Sequence, residues 1–332
     1  MAILRNILYP FAILYSAIIR LRNKFFDWGF LKSETFPVPV ICVGNLNVGG
    51  TGKSPMVEYL IRLLKDEYNL ATLSRGYKRN TKGFKVVDAS DTAKEVGDEP
   101  LQFKRKFKNI TVAVDENRAH GISELLKQTN APEIVILDDA FQHRYVKPSF
   151  TILLTAYKNL YSNDIMLPTG NLREPKSGAK RADVIVVTKS PENLGKDEKI
   201  AILSSLNTQS HQKVFFSTIG YSKTISNRIS QRYLEALNAN SFILVTGIAN
   251  PKPLVDYLKS KDLEFQHLAF SDHHNFSEAE LKTLKKHPFI LTTEKDYVRL
   301  HSHFKRDQIF YLPIESTIDR PEDFKNAVSA SF

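Results

Sequence analysis

The chain has 332 residues, 42% of them hydrophobic and 25% charged, with 46 basic against 36 acidic side chains and a formal net charge of +10. These are the proportions of an ordinary folded chain with room for two or three domains, and the basic excess points to nucleic acid, an anionic membrane surface or a phosphorylated substrate as partner. The single cysteine, Cys42, excludes an internal disulfide and a cysteine metal site and suits a reducing compartment.

Residues 1–28 form an amphipathic segment. On a helical wheel Ile3, Leu4, Ile7, Leu8, Phe11, Leu14, Tyr15, Ile18, Leu21 and Phe25 share one face, with Arg5, Asn6, Ser16, Arg20, Asn23 and Lys24 opposite. The uncharged stretch 6–19 falls short of the about 20 apolar residues that span a bilayer. Arg20-Leu21-Arg22 stands where a signal-peptide cleavage site would be expected. The segment is read as a helix lying in the membrane interface, and packing on its own domain is the competing reading.

A short apolar strand over 38–43 then feeds Asn47-Val48-Gly49-Gly50-Thr51-Gly52-Lys53-Ser54-Pro55, and an amphipathic helix over 53–65 follows. Strand, glycine turn and helix in that order make a phosphate-binding P-loop. Backbone N–H groups from Asn47 to Gly52 would close around the phosphates, Lys53 would reach the terminal oxygens, and the Ser54 hydroxyl would ligate Mg²⁺. Asn47 replaces the usual first glycine, and asparagine tolerates a left-handed backbone better than most residues.

Further apolar runs at 71–74, 111–114, 134–138, 151–155, 184–188 and 214–217 alternate with helical stretches, as in a parallel sheet covered on both faces. Residues 221–240 read as a polar linker with room for a hairpin, and a second α/β set has strands at 242–246, 265–270, 289–293 and 309–312. The expected architecture is α/β: an interface helix (1–28), a P-loop domain of parallel sheet with helices on both faces (29–220), the linker (221–240), and a smaller C-terminal α/β domain (241–332).

The run 134–138 ends in Asp138-Asp139, the form of a strand whose acids hold Mg²⁺ beside a P-loop. Gln142, His143 and Arg144 follow at the same sheet edge, where ligands of open α/β sheets bind. Gly97-Asp98-Glu99-Pro100 reads either as a helix cap or as a general base for a hydroxyl acceptor. Asp272-His273-His274 reads as surface histidines or as a histidine orienting a base. The loops Ser74-Arg75-Gly76-Tyr77-Lys78-Arg79 and Pro168-Thr169-Gly170-Asn171-Leu172-Arg173-Glu174-Pro175 suit a sugar-phosphate, and equally a solvated turn. Thr188-Lys189-Ser190 lacks the Asn and Asp of a guanine-reading loop.

Taken in order, the P-loop run, Ser74-Arg75-Gly76-Tyr77, Gly97-Asp98-Glu99-Pro100, Glu116-Asn117-Arg118, Asp138-Asp139-Ala140-Phe141-Gln142-His143-Arg144, Gly170-Asn171-Leu172-Arg173-Glu174 and Asp272-His273 resemble the tetraacyldisaccharide 4′-kinase (lipid A 4′-kinase) family over nearly the whole chain. The resemblance implies ATP as donor with Mg²⁺, and a tetraacyl glucosamine disaccharide 1-phosphate in the membrane as acceptor at its 4′-hydroxyl. It implies Asn47, Gly49, Gly50, Thr51, Gly52, Lys53 and Ser54 on the nucleotide, and Ser54, Asp138 and Asp139 on the metal. Asp98 is implied as base, assisted by His273, with Lys53 also catalytic. Arg75, Tyr77, Glu99, Arg118, Gln142, His143, Asn171, Arg173 and Glu174 are implied on the acceptor. The implied location is peripheral, on the cytoplasmic face of the inner membrane. Two other classes stay open. One is a membrane-associated P-loop ATPase that positions other proteins; the other is a nucleic-acid-dependent NTPase. No RNA-binding aromatic signature or helix-turn-helix pattern is evident, so neither nucleic acid nor an obligate protein partner is expected.

Overall fold

The structure, a computed structural model, describes residues 8–227, 229–239, 242–272 and 274–332. Its centre is the strand β1 (Val40–Asn45), buried at all six positions. Alternation along this strand divides two cores. Ile41 and Val43 face Met56, Leu60 and Leu64 of the helix Lys53–Leu64. Val40 and Cys42 face Ala119, Ile122 and Leu125 of the helix Arg118–Leu126. A strand apolar on both faces needs a layer of helix on each, which is why its sequence is a continuous apolar run.

The first sheet contains β2 (Leu70–Ser74), β3 (Lys85–Val86), β4 (Thr111–Val114), β5 (Ile134–Asp138), β6 (Phe150–Ala156), β7 (Val184–Thr188) and β8 (Lys213–Tyr221). The second set contains β9 (Thr224–Ser226), β10 (Gln231–Tyr233), β11 (Phe242–Thr246), β12 (Phe265–Ala269), β13 (Ile290–Thr293) and β14 (Ile309–Leu312), and β15 (Ile314–Ile318) closes the chain's strands. The pairing order is β15-β8-β7-β6-β1-β5-β2-β4-β3 in one sheet and β10-β9-β14-β13-β11-β12 in the other. In the first sheet only the edges are antiparallel, β15 on β8 and β3 on β4. After β1 the chain leaves for β2 on one side and later returns to β6 on the other. A crevice opens at such a switch point beyond the carboxyl ends of the strands, and the P-loop stands in it.

The expected α/β class with a P-loop sheet holds. Residues 221–240 carry a hairpin, as the sequence allowed: β8 runs on to Tyr221, and β9 and β10 pair and join the second sheet through Tyr311 opposite Ser226. Residues 314–332 return to the first sheet. β15 pairs with β8 from Ile314–Tyr221 to Ile318–Ser217, and the helix Pro321–Ser329 sets Phe324 edge-on against Tyr59 and Phe215 in the first core. The reason is edge protection and burial: β8 would otherwise expose an unpaired edge, and Phe324 finds its apolar partners on the first sheet.

The helix Tyr9–Asp27 is present, and Ile3, Leu4 and Ile7 lie outside the described residues. It docks on the protein through Ala12 and Phe26, which are buried, with Tyr15 and Ile19 partly covered. Tyr15, expected on the outward apolar face, instead turns inward and donates its hydroxyl to the Arg173 carbonyl at 3.1 Å. Phe11, Leu14, Ile18, Leu21 and Phe25 stay exposed, and Trp28 and Phe30 extend the same apolar surface. No helix among the described residues is long and apolar enough to cross a membrane.

Candidate active site

The turn after β1 is built for a bound anion. Gly49 and Gly52 take positive φ of 104° and 85°, a backbone open to glycine at no steric cost. Gly52 caps the helix Lys53–Leu64 in that left-handed conformation, so the positive end of the helix dipole faces the turn. The turn is braced from outside. Asn47 donates to the Asp164 carboxylate at 2.9 Å, the Val48 N–H donates to the Asn171 carbonyl at 2.7 Å, and Thr188 donates from Oγ1 to the Thr51 carbonyl at 2.7 Å. Lys189 lies over the turn with its ammonium 2.5 Å from the Gly50 carbonyl. Asn47 therefore acts as a strut where a generic P-loop has glycine.

Lys53 donates to Asn45 Oδ1 at 3.2 Å and stands 3.6 Å from the Asp139 carboxylate. Asp139 follows β5 with a positive φ of 49°, which aims its side chain into the crevice, where Arg173 also meets it at 3.3 Å. Asp138 is buried, and its Oδ1 has no hydrogen-bond partner. Burial pushes its carboxyl up to about 8, with Glu99 and Asp139 adding to the rise. A buried carboxyl oxygen without a hydrogen-bond partner is a donor that suits a hard cation.

The second acidic pair comes from the helix Asp98–Lys106. Gly97, at φ 92°, precedes it and packs so tightly that a Cβ there would stand 3.2 Å from the Gly76 Cα, so the loop carrying Arg75 and Tyr77 is locked to the start of this helix. Ser54 donates its hydroxyl to Glu99 Oε1, and Lys295 donates to the same oxygen at 2.7 Å. Burial works to raise the Glu99 carboxyl, but Lys295, the Ser54 hydrogen bond and Lys53 outweigh it and hold the group below its ordinary value. Glu99 thus lies between the P-loop serine and Lys295 of the second unit. Asp98 is held by Arg299 through two parallel bonds, Nε to Oδ1 at 3.1 Å and Nη2 to Oδ2 at 2.9 Å. Both clamps come from the helix Glu294–Leu300 of the second unit.

The remaining candidates are held in different surroundings. Arg118 is buried and donates to the carbonyls of Glu116 and Asp139, at 3.2 and 3.4 Å. Its backbone N–H donates to His143 Nε2 at 3.3 Å. Burial lowers His143 to about 4, and Arg118, Arg22 and Arg75 push the same way, so this imidazole is neutral at neutral pH and acts as an acceptor. Gln142 donates to the Asn45 carbonyl at 2.7 Å, while Arg75 and Tyr77 are exposed. Asn171 is tied to Asp164 at 3.0 Å. Glu174 is buried between Arg181 at 2.5 Å and Asn23 at 2.6 Å. It braces the loop and the N-terminal helix and does not face the crevice. His273 lies outside the described residues. His274 is paired with Glu280 at 3.1 Å.

Sequence reasoning missed Lys295, Arg299 and Asp164. For the first two a signal existed: Glu294-Lys295-Asp296 follows directly on β13, at the carboxyl end of a parallel strand, where ligands of open α/β sheets bind. Asp164 had none, since its role depends on two asparagines, Asn47 and Asn171, that meet only in the fold.

Among the described residues no group of three or more His, Cys, Asp or Glu side chains is arranged to hold a metal ion by itself. A P-loop does not need one, because Mg²⁺ takes one or two protein oxygens and completes its shell from phosphates and water. Ser54 and Asp138 fit that demand.

The profile of the LpxK family, described as tetraacyldisaccharide-1-P 4′-kinase, matches residues 4–332. A tetraacyldisaccharide 4′-kinase of Flavobacterium johnsoniae is 50% identical over 328 residues, 98% of this chain and 96% of that protein. One from Bacteroides thetaiotaomicron is 44% identical, over 94% of this chain and 88% of its own length. Among solved structures, LpxK of Aquifex aeolicus, crystallised in complex with ATP, superposes with a TM-score of 0.81 at 32% identity, covering 99% of both chains. With its P-loop, its paired acids and this continuous likeness from end to end, the chain belongs to the LpxK family of tetraacyldisaccharide-1-P 4′-kinases.

Proposed function

We propose that the protein transfers the γ-phosphoryl group of ATP to the 4′-hydroxyl of a tetraacyl glucosamine disaccharide 1-phosphate, giving the 1,4′-bisphosphate. One observation supports this reading: Ser54 of the P-loop and Glu99 share a hydrogen bond, so the first turn of the helix that carries Asp98 abuts the P-loop. Backbone N–H groups from Asn47 to Gly52 would hold the triphosphate, with Lys53 on its terminal oxygens. Mg²⁺ would be held by Ser54 and Asp138, with Asp139 close by, and would neutralise charge on the phosphates.

The residues that remain do the work of position and proton transfer. The acceptor hydroxyl gives its proton to Asp98 as its oxygen bonds to phosphorus, and the bond to the β–γ bridging oxygen breaks to release ADP. Arg299 fixes the orientation of the Asp98 carboxylate through its two parallel bonds, and positioning is most of what phosphoryl transfer asks of the protein. Arg75, Tyr77, Arg118, Gln142, His143 and Arg173 would orient the sugar and its phosphate, Arg118 and Arg173 as charges and neutral His143 as a hydrogen-bond acceptor. Asn171 and Glu174 would act through the loops they brace.

The lipid stays in its membrane. The exposed ridge of the N-terminal helix would seat the protein peripherally on an anionic bilayer, at the cytoplasmic face of the inner membrane, next to the crevice. The test is mass spectrometry of a tetraacyl disaccharide 1-phosphate incubated with Mg-ATP. One added phosphate at the 4′ position is expected with the unaltered protein, and none with Lys53→Ala. Product formed by Lys53→Ala at the normal rate would reject the P-loop as donor site.

A further inference from the structure

The second unit reaches the phosphate site through one helix, and it does so with cations. Lys295 and Arg299 are one turn apart on Glu294–Leu300 and take hold of Glu99 and Asp98, neighbours in the first turn of the helix Asp98–Lys106. At the other end of that helix Lys106 bridges Glu58 of the P-loop helix, at 2.7 Å, and Glu294, at 2.8 Å. The two bonds of Lys295 and Ser54 converge on one oxygen, Glu99 Oε1. Asp138, whose buried Oδ1 has no partner, lies within electrostatic range of the same ammonium. One positive charge from the second unit therefore serves an acidic site that Ser54, Glu99 and Asp138 surround. Two cations in so small a site repel each other strongly where water is scarce.

We infer that Lys295 is a positioning residue whose ammonium stands in the charge position of a divalent cation, so that its grip on Glu99 and the loading of the site with metal oppose each other. In the unloaded protein Lys295 keeps Glu99 and Asp138 from facing each other uncompensated. On loading, the ion takes over that neutralisation, and Lys295 is released from Glu99, which loosens one of the clamps holding the second unit. The inference rests on the metal site proposed above, so its test separates the two.

The test is a Mn²⁺ titration of the full chain without nucleotide, followed by electron paramagnetic resonance. Lys295→Met removes the competing charge and is expected to bind Mn²⁺ about tenfold more tightly than the unaltered protein. Lys295→Arg, which keeps the charge, should match the unaltered protein. In a Glu99→Gln background the Lys295→Met gain should shrink, because the group that the lysine holds has lost its charge. Thermal unfolding adds a second readout: Lys295→Met melts earlier without metal, and Mn²⁺ restores it further than it does the unaltered protein. Lys295→Gln gives the same comparison if the methionine variant does not fold. Equal or weaker Mn²⁺ binding by the charge-removed variants overturns the inference while leaving the metal site standing. Mn²⁺ binding that does not depend on Asp138, tested by Asp138→Asn in both backgrounds, overturns the metal site and the inference with it.

Discussion

The apolar ridge of the N-terminal helix gives the proposed membrane attachment a magnitude. Phe11, Leu14, Ile18 and Leu21 are 61%, 59%, 56% and 50% exposed and recur at helical spacing on one face. Fully burying such a side chain is worth about 1.5–3 kcal/mol, so burying the exposed half of each yields about 1 kcal/mol. Replacing all four by serine should cost about 4 kcal/mol of partition energy, on the order of a thousandfold in binding to vesicles. The fold should survive, because the helix is held by its other face through Ala12, Tyr15, Asn23 and Phe26. The assay is co-sedimentation with vesicles of phosphatidylglycerol and phosphatidylethanolamine, with circular dichroism and nucleotide binding as controls for folding. Unchanged partition in a folded quadruple variant would refute the ridge as the attachment surface.

Phe324→Ala should destabilise the protein by about 3–5 kcal/mol in urea unfolding, since the ring is fully buried against Phe215 and Tyr59; a loss under about 1 kcal/mol would show that the C-terminal helix adds little to the first core. Burial raises the Glu294 carboxyl to about 7, with Glu58 adding to the rise and Lys106 opposing it. A carboxyl raised in the fold keeps its proton where the unfolded chain has lost it, so its contribution to stability falls as pH climbs from about 4.5 to about 7. Glu294→Gln should remove that loss, gaining on the order of 2 kcal/mol relative to the unaltered protein between pH 5 and pH 8, and parallel stability curves for the two proteins would show that the carboxyl does not titrate there.

The parts of the fold set by local pattern were legible. β1 and β5 are largely apolar runs and so announce burial on both faces, and Gly49 and Gly52 mark a turn chemistry that lets backbone N–H groups close on a phosphate. β15 was not legible. Ile314-Glu315-Ser316-Thr317-Ile318 is short, follows Pro313 and carries three polar residues, and what makes it a strand is the open edge of β8. The site divides along the same line. Lys53 and Asp138 sit in local patterns that suggest their proposed roles, whereas the spacing around Asp98 left a helix cap and a base open, and only the resemblance favoured the base. Lys295 is 196 residues from Glu99, and nothing local to either residue encodes their meeting. Tyr15 failed for a different reason. Amphipathic patterning counts its ring as apolar, but the hydroxyl at the ring's tip found a carbonyl, and that contact turned the residue inward.

The inward face of the N-terminal helix would tie the proposed membrane docking to catalysis. Tyr15 binds the Arg173 carbonyl, Asn23 binds Glu174, Arg22 reaches the Gln142 carbonyl at 3.5 Å, and Arg144 holds both the Asn23 carbonyl, at 2.8 Å, and Asp27, at 2.7 Å. Each of these contacts lands on one of the two loops proposed to orient the acceptor, 139–146 or 164–175. A substrate whose acyl chains remain in the bilayer can place its sugar only as accurately as the protein's height and tilt on that bilayer are fixed. A flexible tether would leave both free and would lose the advantage of a positioned hydroxyl, which is most of what a protein contributes to phosphoryl transfer. Fastening the docking helix to the acceptor loops by side-chain bonds removes that freedom, so the helix belongs to the proposed active site as much as to the membrane surface.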